Sequence, residues 1–190
     1  MNVKRSLETV PVLPLGEFVL RPLRRGDSAD WFAYLSDSRT TEHTSWPEVS
    51  SASIAELVDR LIGEYAAGTS LRWALARRSD DQLVGCCGYT RIDRHDEVAE
   101  LAYDLAPDYW GRGIMQRAVE AAVNWAFVDG RLRRVEALVM VTNSRSISLL
   151  ERCGFAREEL LPGHRIARGT PRDFWLYGKE VREGQLLAPS

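Results

Sequence analysis

Apolar positions recur along this chain with two periods. Alternation with period two over Phe18–Leu23, Leu71–Arg77, Leu83–Ile92 and Val98–Leu105 predicts strands. Spacing of three and four puts Trp31, Phe32 and Leu35 on one face of a helix over Asp30–Ser36, capped by Asp27. The same spacing aligns Ile54, Leu57, Leu61 and Tyr65 in a helix over Ser50–Ala67, capped by Ser51 or Ser53 and stopped by Gly68. Asp80-Asp81 and Arg94-His95-Asp96 read as turns, so the strands from Leu71 to Leu105 form an antiparallel meander. A helix over 113–128, a buried strand Val135–Val141 and a helix opening at Asn143 or Ser144 follow. Gly154 closes that last helix as a C′ glycine. Phe155–Leu161, a loop around Pro162-Gly163 and a strand near Asp173–Lys179 complete the pattern, and the polar stretch 37–50 reads as loop. Antiparallel strands followed by two helical connections around a central strand make an α+β fold with a mixed sheet. Residues 1–14 read as an arm, 15–182 as a single domain and 183–190 as a tail.

Two strand–turn–helix junctions carry the chemistry. In the first, Val98–Leu105 meets Pro107, and Gly111-Arg112-Gly113 opens a run of helix formers. The first N–H groups of a helix have no intrahelical acceptor, and the helix dipole favours an anion there. Two glycines let a phosphate approach the backbone, and the geometry suits a diphosphate-bearing cofactor. The dinucleotide fingerprint lacks its third glycine here, and no Gly-Lys-Ser/Thr of a P-loop follows. Taken alone, the turn fits a ligand-free glycine turn equally well. In the second junction the β-branched run Val135–Val141 leads into Asn143-Ser144-Arg145-Ser146, where Asn143 or Ser144 can cap the helix.

The two segments together resemble the GNAT superfamily of acyl-CoA-dependent N-acyltransferases, in the branch of ribosomal-protein N-terminal acetyltransferases of the RimJ/RimL type. Tyr109-Trp110-Gly111-Arg112-Gly113-Ile114-Met115 matches the pyrophosphate loop, Asn143-Ser144-Arg145-Ser146 the second helix start, and Glu151-Arg152-Cys153-Gly154-Phe155 its end. The resemblance runs from about Leu15 to Val181. It implies a twisted, mostly antiparallel sheet with a cofactor gap between the fourth and fifth strands. It also implies acetyl transfer from acetyl-CoA to a primary amine: a protein N-terminus, a polyamine, an amino acid or an aminoglycoside-like compound. Two departures stand out: Trp110 where many members carry Gln or Arg, and Met115 where Gly or Ala is common, narrowing the loop. A non-catalytic acyl-CoA-binding regulatory module on the same scaffold is the second reading. A nucleotide-phosphate binder unrelated to CoA is the third, and it leaves Asn143–Phe155 unexplained.

Composition narrows the classes. At 190 residues and 45% apolar, the chain can bury a sizeable core. A net charge of −2 argues against a general nucleic-acid binder, although Arg131, Arg133 and Arg134 make a local basic patch. Three cysteines form no disulfide framework. Cys86 and Cys87 fall on opposite faces of one strand, as buried thiols rather than nucleophiles. No C-x-x-C spacing is present, so no metal is expected, and no signal or membrane-length apolar run appears. A cytoplasmic protein without membrane partners is expected, and by analogy with similar acetyltransferases a homodimer.

Acyl transfer to an amine requires a neutral amine, a polarised carbonyl and a protonated leaving thiolate. The resemblance implies that backbone N–H groups near Leu105 and Ala106, with Pro107 beside them, hold the thioester and pantetheine arm. It gives the pyrophosphate to Gly111 and to Gly113, Ile114, Met115, Gln116, Arg117 and Ala118, with Arg112 adding charge. Asn143 becomes a cofactor contact as well as a cap. Many members place an acidic tyrosine seven residues after that asparagine. Leu150 stands there, which makes Ser146 the preferred thiolate acid. Glu100, flanked by Ala99 and Leu101, is the preferred base: a partly apolar strand raises a carboxylate's pKa. Glu136 is the runner-up, Tyr103 and Asp104 are weaker candidates, and a cross-strand ion pair is the alternative role for Glu100 and Glu136. The acceptor pocket falls by analogy to the loops 38–50 and 162–172 and the third-to-fourth-strand region. Trp46 is its expected wall, and Trp73, Tyr89, His164, Arg165 and Arg168 are further candidates.

Overall fold

The computed structural model describes residues 10–181, so the tail and most of the arm lie outside the described residues. Thirteen elements follow in chain order: β1 (Leu13–Leu15), β2 (Phe18–Pro22), α1 (Ser28–Leu35), α2 (Ser38–Thr41), α3 (Ser51–Ala66), β3 (Leu71–Arg77), β4 (Leu83–Asp93), β5 (Val98–Leu105), α4 (Ile114–Val128), β6 (Arg134–Met140), α5 (Ser144–Arg152), β7 (Ala156–Ala167) and β8 (Thr170–Glu180). They build one sheet in the order β1-β2-β3-β4-β5-β6-β8-β7. Every neighbouring pair is antiparallel except β5 and β6. The expected α+β architecture is present, and the extra strand β1 makes the predicted fourth and fifth strands β5 and β6.

The meander is buried on both faces. Cys86 packs with Ala74, Trp31 and Ile54 under α1 and α3, whereas Cys87 packs with Tyr89, Trp73 and Trp125 under α4. This is the opposite-face placement that alternation demands. Burial pushes the Cys87 thiol up to about 12 and the Cys153 thiol up to about 11, which suits inert packing groups. Gly88 sits where a Cβ would come 2.1 Å from the Leu71 carbonyl oxygen, so only glycine lets β3 and β4 approach there.

Several boundaries differ from the sequence pattern. Ser50, rather than Ser51 or Ser53, caps α3: it accepts from Ser53 N–H while Ser53 Oγ accepts from Ser50 N–H. The short helix α2 occupies part of the expected loop, with Asp37 accepting from the Arg39 amide at its start. The loop expected at Pro162-Gly163 is instead a bulge inside β7, where the register with β8 shifts between Leu161 and Arg165. The hairpin turns later, at Arg168-Gly169, where both residues have positive φ (50° and 73°) as a tight two-residue turn requires.

Candidate active site

β5 and β6 pair in parallel only over Val98–Leu101 and Arg134–Ala137, then diverge. Each ends at a helix start on the same side of the sheet: α4 follows β5 and α5 follows β6. The divergence leaves backbone groups of β5 facing a gap. Ala106 N–H is not among them. It donates to Val84 O at 2.8 Å, which corrects the expectation that Ala106 offers a free donor. N–H directions alternate along a strand, so with Ala106 turned to β4 the amides of Tyr103 and Leu105 face the gap.

Trp110 secures the loop. Its indole N–H donates to Leu105 O at 2.9 Å, and the Arg145 guanidinium lies 4.4 Å from its ring centre. Gly111 and Gly113 adopt φ of 74° and 66°, and a Cβ at Gly111 would meet nothing within 4 Å. Gly113 is the N-cap of α4 and supplies no capping side chain, so the first amides of α4 are left for an outside acceptor. Arg112 touches the Tyr109 ring (5.4 Å), and neither it, Arg117 nor Arg145 has a carboxylate partner among the described residues. Ile114, Met115 and Ala118 bury their side chains in the core, so Met115 points away from the loop and does not narrow it. Gln116 donates to Glu120 and accepts from Arg152. Pro107 opens the 3-10 turn that carries the chain from β5 toward Gly111.

At the second junction Asn143 caps α5: its Oδ1 accepts from Ser146 N–H at 3.1 Å. Its Nδ2 donates to His43 O at 3.1 Å, so the same side chain straps the loop after α2 to the helix start. Ser146 Oγ lies 2.7 Å from the Tyr103 hydroxyl. Leu150, one turn on, is buried.

Side chains alternate along β5, so Glu100 and Asp104 lie on the α1/α3 face and Tyr103 on the α4/α5 face. A cavity of about 530 Å³ joins the two at the gap, lined among others by Trp46, Glu100, Tyr103, Asp104, Ser146 and Phe174. Trp46 is among the residues that line it. Trp73 and Tyr89 are not: both are fully buried, Tyr89 donates to Ala122 O, and with Trp125 they form an aromatic cluster in the core. The β7–β8 hairpin folds back over the cavity. Arg165 reaches Glu100 at 2.9 Å, and Arg168 donates to Thr41 Oγ1 and Glu42 O. His164 packs against Phe174. Glu136 does not line the cavity and pairs with Arg134 at 2.9 Å, which removes it as runner-up base.

Glu100 is therefore an arginine-paired carboxylate rather than one isolated in an apolar strand. Asp104 is the buried one. It accepts from the Tyr34 hydroxyl and from Arg72 Nη2 (3.0 Å), and burial raises its pKa against the lowering pull of Arg72. Arg72 in turn lies over the Trp31 ring. Sequence alternation placed Asp104 on the same face as Glu100 but gave no sign of its partners, which come from α1 and β3.

Comparison with known proteins agrees with this geometry. The acetyltransferase (GNAT) domain family matches residues 17–156. The chain is 29% identical over 165 residues to the uncharacterized N-acetyltransferase p20 of Bacillus licheniformis, covering 86% of this chain and 93% of that one. It is 24% identical over 163 residues to a spermidine N(1)-acetyltransferase of Vibrio cholerae, covering 86% and 87%. Mycobacterium smegmatis RimJ in complex with CoA-disulfide superposes with a TM-score of 0.79 at 25% identity, covering 90% and 86%.

Proposed function

This chain belongs to the GNAT acetyltransferase family, and on that premise we propose that it moves acetyl from acetyl-CoA to the α-amino group of a peptide or protein N-terminus. It is an N-acetyltransferase; the acceptor and the residue roles are the proposed part. The observation that carries the cofactor reading is the gap between β5 and β6, with a helix start at its mouth and strand amides along its wall. Acetyl-CoA brings an activated thioester. Here Tyr103 and Leu105 N–H are placed to hold the pantetheine arm. The first turn of α4, with Arg112, Arg117 and Arg145, is placed to hold the phosphates.

The cavity's charges support the choice of acceptor. A polyamine needs several carboxylates free to meet its ammonium groups. Here Glu64 lies 3.6 Å from Arg60, Glu100 2.9 Å from Arg165 and Asp104 3.0 Å from Arg72, so each cavity carboxylate has an arginine. Trp46, Pro47, Val49, Ile54 and Leu57 offer an apolar wall to a neutral first side chain. With acetyl-CoA and a panel of peptides differing in their first residue, spermidine, spermine and aminoglycosides, thiol release should be fastest with a peptide. Faster release with spermidine would overturn the acceptor, and no release with any amine would favour a non-catalytic acyl-CoA module. No helix among the described residues is long and apolar enough to cross a membrane, and we place the enzyme in the cytoplasm.

Glu100 is the proposed base, acting through water on the incoming ammonium while Arg165 holds its other side. Glu100→Gln keeps the size and loses the charge. Turnover should fall about tenfold at neutral pH, below the usual general-base range because the carboxylate is already paired. It should recover as pH rises and free amine accumulates. A variant with the wild-type pH–rate profile would remove Glu100 from the mechanism.

A further inference from the structure

We propose that Tyr103 is a positioning residue that turns the Ser146 hydroxyl proton toward the departing thiolate, an inference that rests on the acetyl-transfer reading above. Tyr103 comes from β5 and Ser146 from the first turn of α5, the two elements that bound the gap, and both line the cavity. Their hydroxyl oxygens are 2.7 Å apart. The Ser146 backbone is fixed independently, because its N–H donates to Asn143 Oδ1. The other α5 residue that lines the cavity, Leu150, is apolar and buried, so Ser146 carries the one side-chain proton that α5 brings to it.

Two hydroxyls in contact share one hydrogen bond, and the direction of that bond decides which proton is left over. Of the two hydroxyls the phenol is the better hydrogen-bond donor and the poorer acceptor, because its oxygen lone pair is delocalised into the ring, and burial keeps it protonated. With Tyr103 as donor, Ser146 Oγ is the acceptor and its own proton must point elsewhere, into the cavity they share. A serine alone would spread that proton over its staggered rotamers. The phenol removes the rotamer that points back at β5. In the transfer step the nitrogen–carbon bond forms and the carbon–sulfur bond breaks with its electron pair on sulfur. The Ser146 proton passes to sulfur, and the proton shed by the nitrogen returns to Ser146 Oγ through solvent. Tyr103 ends as it began, protonated.

The test is a double-mutant cycle of wild type, Tyr103→Phe, Ser146→Ala and the pair, read as kcat, KM for acetyl-CoA and CoA affinity. Tyr103→Phe should lower kcat roughly five- to tenfold, the worth of one hydrogen bond, with CoA affinity unchanged. The pair should be no slower than Ser146→Ala alone. Ser146→Thr keeps the hydroxyl and should restore turnover only while Tyr103 is present. Wild-type kcat in Tyr103→Phe, losses that multiply in the pair, a change confined to KM, or Ser146→Thr rescue without Tyr103 would each overturn the proposal. A wild-type enzyme that releases no thiol with any amine would overturn the reading beneath it as well.

Discussion

A Gly113→Glu enzyme should keep its fold and lose about thirtyfold in coenzyme A affinity. The size follows from electrostatics: two like charges about 4 Å apart near a protein surface repel by up to ~4 kcal/mol, of which solvent leaves roughly half. Space is not the obstacle, since a Cβ at Gly113 would meet only the Arg117 guanidinium, at 3.9 Å. Backbone strain is a separate cost. Gly113 has φ of 66°, and a side chain in the left-handed region costs ~1–2 kcal/mol of stability. Gly113→Asn separates the two effects, because asparagine accepts that conformation and carries no charge. Titration calorimetry should show a large loss for the glutamate and a small one for the asparagine. Equal affinities in wild type and a folded Gly113→Glu would move the phosphates away from α4.

The two helix starts were legible because their parts are local. The glycine turn and the asparagine cap each act within a few residues of chain, and strands with clean alternation such as Val98–Leu105 declare their own boundaries. What escaped is what the chain assembles from a distance. Glu100 meets Arg165 only because the β7–β8 hairpin folds back over the gap. Its Pro162-Gly163 step resembled a loop because a bulge uses the same residues as a turn. Tyr103 and Ser146 are 43 positions apart and meet across the divergence of two strands. Analogy put Trp73 and Tyr89 among the pocket candidates, yet both point to the α4 face of a meander that is covered on both faces. Ala106 was misplaced as a donor because the direction of its N–H depends on register, and no residue type reports that.

Arg72→Met should destabilise the protein by about 3–5 kcal/mol at pH 8, the usual result of leaving one member of a buried ion pair alone. Arg72 and Asp104 are nearly fully buried, with side-chain exposures of 5% and 6%, and methionine preserves most of the packing volume. The deficit should shrink as pH falls. Burial already raises the Asp104 pKa in the folded protein, and Arg72 is the main influence lowering it, so losing the arginine raises it further. Between its unfolded and folded pKa values the native state then binds more protons than the unfolded state, and stability rises as pH drops through that window. A protonated Asp104 needs no cation, and it keeps the Tyr34 hydroxyl as a neighbour. Urea unfolding of wild type and variant at pH 8 and pH 5 measures this, with the difference expected to narrow at pH 5. A deficit of equal size at both pH values would mean that the loss lies in packing against Trp31 and that Asp104 stays ionised without its partner.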